Sequence, residues 1–145
     1  VNIPVDMSLD AMLTKLNLNP PATAEMKQPV LQGGPVHGDR GFVLHSFRPG
    51  FNSTLQVSDE MMVTTSKDIL ETLGTDEAPD HWLVALGYAG WSAGQLEQEL
   101  VDGAWLVIPP NPKLVFDTPI HLRWQQAAAS IGVNPLHLSS QVGHS

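Results

Sequence analysis

The chain has 145 residues, 42% of them apolar, with 12 glycines, 12 prolines, no cysteine and a formal net charge of −8. That length and apolar content suit one domain able to bury its own core, and the lack of cysteine excludes disulfides, thiolate metal sites and cysteine catalysis. Acidic residues crowd 68–102 with no Lys or Arg among them, and the 7 basic residues are scattered, so direct nucleic-acid binding is disfavoured: phosphate contacts need clustered cations.

Residues 1–5 read as the end of a strand. Leu9, Met12, Leu13 and Leu16 then recur at i, i+3, i+4 and i+7, one helical face. Ser8 stands as its N-cap and Asn19-Pro20-Pro21 ends it. "PVLQ" (29–32) and "GFVLHS" (41–46) are strands, separated by the Gly-rich "GGPVHGDRG" (33–41). "STLQV" and "MMVTT" flank Ser58-Asp59-Glu60 as a hairpin. Ser66 caps a short helix, "KDILETL", that Gly74 stops. "HWLVALGY" (81–88) is a nearly unbroken apolar run, which marks a central strand. "QLEQEL" is a helix ending near Gly103. "AWLVIP" and "LVFD" read as strands around "PNPK". Thr118 and Pro119 are the cap and first position of a last helix, with Ile120, Trp124, Ala127, Ala128 and Ile131 on its apolar face and Gly132 at its end. The tail "NPLHLSSQVGHS" has no period.

Between the central strand and its following helix stands "GWSAG" (90–94), a match to the G-x-S-x-G nucleophile elbow in the strand–turn–helix setting that motif requires. Asp102, Asp117, His121, His137 and His144 follow Ser92 in triad order. Against the nucleophile stand the short chain and the lack of an oxyanion loop before Ser92. Ser92 and Gln95 also form S-x-x-Q, a capping box that would turn the hydroxyl toward the helix. The cap is the preferred reading, with a small serine hydrolase as the alternative. A phosphate cradle at Gly87, Gly90 and Gly94 lacks both the Walker and the dinucleotide spacing. The 6 histidines form no H-x-x-x-H or H-E-x-x-H pair; His37 with Asp39, and Asp117 with His121, are the nearest pairings. No metal or cofactor is expected. Gly33, Gly34, Pro35, Asp39 and Arg40 form either a tight connection or a rigid loop that presents Arg40 to a ligand or partner. Of the four tryptophans, Trp82, Trp105 and Trp124 are read as core, whereas Trp91 sits between Gly90 and Ser92 in a turn, where an aromatic can anchor a partner.

Taken jointly, "LQGGPV", "DRGFVLH", "TTSKDIL", "LGYAGWSAGQLEQEL", "LVFDTP" and "RWQQAAASIGV" resemble the AlgH/YqgE family of bacterial proteins, in that family's order and through almost the whole chain. The resemblance implies a single α/β (α+β) domain over 1–145, a mixed branched sheet with a small barrel-like portion flanked by about four helices, in a cytoplasmic protein. It brings no reaction, cofactor or catalytic set; the family is described as regulators of gene expression. Its pattern does not require serine at position 92. The departure is at the start, where family chains carry a further strand-rich segment before "VNIP". No run of 18 apolar residues is present, so no membrane span is expected. The leading expectation is therefore a transcriptional or translational regulator, or an adaptor, acting through a protein partner at the loops 33–41 and 87–94. A serine hydrolase or a small-ligand binding module is the alternative.

Overall fold

The computed structural model describes residues 1–134. Residues 135–145, which include His137 and His144 and most of the aperiodic tail, lie outside the described residues. Among the described residues six strands form one mixed sheet: β1 (Pro4–Ser8), β2 (Pro29–Gln32), β3 (Val36–Ser46), β4 (Thr54–Gln56), β5 (Met61–Thr64) and β6 (Trp82–Tyr88). Their spatial order is β1-β2-β6-β3-β5-β4. β2 and β6 run parallel and the other neighbours antiparallel. The sheet is open, with β1 and β4 as its edges, and its order is linear, without a branch or closed barrel among the described residues. Four α-helices accompany it among the described residues: α1 (Leu9–Lys15), α2 (Gln95–Val101), α3 (Pro112–Phe116) and α4 (Ile120–Ser130).

Side chains alternate across a strand, and β6 shows what that does here. Val84 joins Leu9, Leu13, Met26, Val30, Ile69 and Leu73 in a core on the α1 side. Its neighbours Leu83 and Ala85 face the other way, with Leu31, against Val115, Phe116 and Ile120 of α3 and α4. Both faces of β6 are covered, which is why its sequence reads as a continuous apolar run.

Several expected elements take a different form. The "LVFD" segment is helical, not extended. Asn111 accepts from the Leu114 amide at 3.2 Å and Pro112 occupies the first helical position, so an Asn-Pro start overrides the β preference of Leu-Val-Phe. "AWLVIP" forms no strand, because no neighbour among the described residues pairs with 104–109. "KDILETL" is a 3₁₀ turn (Lys67–Ile69) followed by turns. Ser8 and Ser66 occupy cap positions without capping. Their hydroxyls instead donate to Asp10 and Asp68, whose carboxylates accept from the amides of Ala11 and Ile69. Asp10 also binds Lys27 Nζ at 2.7 Å; the Lys27 and Ser8 donors hold its carboxyl down at about 2. α4 starts one residue later than expected, with Pro119 at its N-cap. The Thr118 carbonyl accepts from Arg123 Nε at 3.0 Å, while Arg123 Nη1 donates to the Val1 carbonyl at 2.7 Å, tying α4 to the approach to β1. Among the described residues no helix is long and apolar enough to cross a membrane.

Candidate functional site

The two loops singled out from the sequence meet at one end of the sheet. Val36 pairs with Tyr88, and the next pair is Gly41 with Leu86. The intervening residues of β3 therefore loop out beyond the ladder. His37 leads that excursion with φ of +46° and stacks on Tyr88 at 5.7 Å, while Phe42 meets the same ring edge-on at 5.8 Å. Asp39 and Arg40 are exposed on it. Among the described residues no carboxylate lies within ion-pair distance of Arg40.

Gly33 and Gly34 do a different job from the one a ligand cradle would ask of them. The Gly33 amide donates to the Leu86 carbonyl at 2.7 Å. A Cβ on Gly33 would come within 2.2 Å of the Gly87 carbonyl oxygen, and one on Gly34 within 2.3 Å of the Tyr88 carbonyl carbon. These glycines let two backbones cross in contact. Pro35 is exposed and closes the turn into β3.

After Tyr88 the chain leaves the sheet as an arm. α2 has no buried residue, so the arm is held by its own side chains. The indole N–H of Trp105 and that of Trp91 both donate to Glu99 Oε2, at 2.7 and 2.8 Å. The two rings meet edge to face at 5.8 Å and 71°, a favoured aromatic geometry. Gln95 Nε2 donates to the other carboxylate oxygen at 3.3 Å. The Trp105 and Trp91 donors, more than Gln95, hold the Glu99 carboxyl below the ordinary glutamate range. Trp91 nevertheless keeps 37% of its surface exposed. Gly90 and Gly94 face open space. Trp105 is half-buried against this cluster, and Trp82 and Trp124 are likewise only partly covered.

Ser92 sits in this arm, exposed. Half of the expected capping box forms: Gln95 Oε1 accepts from the Ser92 amide at 3.1 Å. The other half does not. Gly94, with φ of +81°, is the N-cap residue of α2. The Ser92 hydroxyl donates to Gln95 Oε1 at 3.1 Å instead of accepting from an amide, and the Gln95 amide goes to the Ser92 carbonyl. The hydroxyl is thus committed to an amide side chain, which is no base. Ser92→Ala is expected to shift the melting temperature by no more than about 2 °C, as for other exposed positions. A fluorophosphonate probe is expected to leave the wild-type protein unlabelled; labelling lost in Ser92→Ala would restore the nucleophile.

Among the described residues Asp117 contacts neither Ser92 nor His121. It faces His81, Nδ1 to Oδ1 at 3.9 Å, at the far end of β6. That pairing was not readable from spacing, because Asp117 stands 36 positions after His81. Glu99 was also missed: its tryptophan donors stand at irregular offsets on both sides. Among the described residues no three His, Asp or Glu side chains gather as metal ligands.

Comparison with known proteins gives one consistent result. The family model described as AlgH-like matches residues 1–136. A UPF0301 protein of Aliivibrio fischeri strain MJ11 is 51% identical over 148 aligned residues, covering 99% of this chain and 79% of the relative. One from Vibrio cholerae is 47% identical with the same coverage. The solution structure of the AlgH protein from Pseudomonas aeruginosa superposes with a TM-score of 0.77 at 42% identity, over 100% of this chain and 77% of that one. A crystal structure from Corynebacterium diphtheriae, 16% identical with a TM-score of 0.64 over 89% of this chain and 67% of that one, shares the fold.

Proposed function

The chain belongs to the AlgH-like family, and on that premise we propose that it is a non-enzymatic regulator or adaptor that acts by binding a protein partner. The observation that supports this reading is the convergence of the loops 33–41 and 87–94 at one end of the sheet, through the Val36–Tyr88 pair and the Gly33–Leu86 hydrogen bond. Arg40 and Trp91, an exposed guanidinium and a half-exposed indole held in place by Glu99, are the residue types that carry binding energy at protein interfaces. The net charge of −8 favours reaching any nucleic acid through that partner and not directly. The engagement of the Ser92 hydroxyl by Gln95 speaks for binding over hydrolysis.

A photo-crosslinking amino acid placed at Arg40 or at Trp91, in cells expressing the protein, tests the reading. Discrete protein adducts from both positions, absent when the same group replaces exposed Lys15 on α1, are the expected outcome. Adducts that are absent, or the same from all three positions, would overturn it.

A further inference from the structure

At the other end of β6, a groove of about 1000 Å³ runs between the ends of β3 and β5, His81 and the segment leading into α3. β6 has 7 residues, so this groove lies about 20 Å from the Trp91 end. It stands apart from the surface proposed above and does not depend on it. We propose that it docks a basic, extended segment of a partner protein, with an apolar side chain seated on its aromatic floor.

Three independent features of the groove select that occupant. The first is charge. Asp59, Glu60, Asp80 and Asp117 line it, against Lys113 as the one Lys or Arg in the lining. Opposed charge steers such partners together and rejects acidic ones. The second is the hydrogen-bonding character of the wall. Pro109, Pro110 and Pro112 have no backbone N–H. The Asn111 carbonyl is taken by the Val115 amide at 3.1 Å, and Pro112 belongs to α3. The carbonyls of Pro109 and Pro110 accept from no amide among the described residues, and Asn111 is the sole backbone donor of 109–112, which suits ammonium and guanidinium groups, since these only donate. The third is an apolar platform. Phe116 stacks with His81 at 5.9 Å and 23°, and Phe47, 55% exposed, stands over the same space. The volume is that of a ligand site for a substantial group. A second copy of this chain is a poor occupant. It carries 15 acidic residues against 7 basic ones, and the basic ones are dispersed.

The test is fluorescence anisotropy with a labelled peptide of Lys and Arg residues around one central Phe. Four forms of the full chain are compared: wild type, Asp59→Asn/Asp80→Asn, Phe47→Ser, and Glu71→Gln/Glu97→Gln. The two double variants remove equal charge, one inside the groove and one from exposed positions outside its lining. Saturable binding is expected for wild type, weakened about tenfold by Asp59→Asn/Asp80→Asn and severalfold by Phe47→Ser, and within about twofold of wild type for Glu71→Gln/Glu97→Gln. These positions are exposed, so all four forms are expected to share one melting temperature within about 2 °C. Equal weakening by the two double variants would mean attraction to overall charge alone, and would overturn the proposal. So would the absence of saturable binding, or an unchanged Phe47→Ser.

Discussion

Gly34→Ala is expected to lower the unfolding free energy by about 3 kcal/mol, the upper part of the range for forced overpacking. That corresponds to roughly 10 °C in melting temperature for a domain of this size. The added Cβ would lie 2.3 Å from the Tyr88 carbonyl carbon, 2.4 Å from its oxygen and 2.6 Å from the Ala89 nitrogen. All three atoms are backbone, so no rotamer change relieves the contact. The strand end they belong to is pinned by the Val36–Tyr88 pair, and opposite it Gly87, at φ of +79°, has its own Cβ direction blocked by the Gly34 carbonyl at 2.3 Å. Relief therefore requires separating β6 from the chain entering β3, at the place where the two candidate loops meet. Gly38→Ala and Gly90→Ala are the controls. Nothing lies within 4 Å of a Cβ at either position, and a change of no more than about 0.5 kcal/mol is expected for each. Urea unfolding of the three variants decides the matter. A Gly34→Ala protein within about 1 kcal/mol of wild type would mean that the backbones do not cross so closely.

The contrast between those glycines marks what the sequence can and cannot tell. The run "GGPV" signals a turn, but which glycine touches which backbone depends on β6, some fifty positions away (87 − 34 = 53). Apolar alternation and continuity were enough to place β2, β5 and β6, because a strand covered on both faces leaves its mark in every residue. α1 was equally readable from its one-sided period. The segment 104–109 has strand composition without a strand, since composition expresses a preference that only a hydrogen-bonding neighbour can satisfy. Local chemistry prevailed at Pro112, where a cap and a proline decided the matter within four residues. At Ser92 the motif marked the turn correctly and misplaced the hydroxyl, because Gly94 in a left-handed conformation starts α2 two residues further on. The Trp91–Glu99–Trp105 cluster follows no helical or strand period. It arises from an arm folding back on itself, which pairwise spacing does not encode.

His45 was invisible for the same reason, and it carries the second large effect. It is 0% exposed, next to the last residue of β3, where that strand pairs on both sides with Met62 and Trp82. Nδ1 lies 2.7 Å from the Ser46 carbonyl, which can only accept, so Nδ1 carries the proton. Nε2, 2.7 Å from Thr64 Oγ1, then accepts from that hydroxyl. Thr64 in turn accepts from Thr54, whose Oγ1 is 2.8 Å away. Every member of the chain is satisfied with a neutral imidazole. Burial accordingly pushes the His45 pKa below its ordinary value of 6.5, with the Ser46 carbonyl pulling weakly the other way. In the unfolded chain the ring titrates near 6.5. Between the folded pKa and that value the unfolded state binds more protons. The contribution of His45 is thus complete above about pH 6.5 and is lost as pH falls through the folded pKa, with a slope of at most about 1.4 kcal/mol per pH unit. Asp10, held at about 2, has its effect well below this window. Its contribution is full above the unfolded aspartate pKa near 3.9 and declines only as the pH drops toward 2. His45→Gln removes the titration and breaks the buried chain, so a loss of about 2 kcal/mol at pH 8 is expected from unsatisfied partners. Its stability curve is expected to be flatter than that of wild type as the pH falls below about 6.5, so the gap between the two proteins narrows on acidification. Urea unfolding at closely spaced pH values reads both quantities. Parallel curves through that window would show that His45 folds charged, or that its chain to Thr54 opens readily to water.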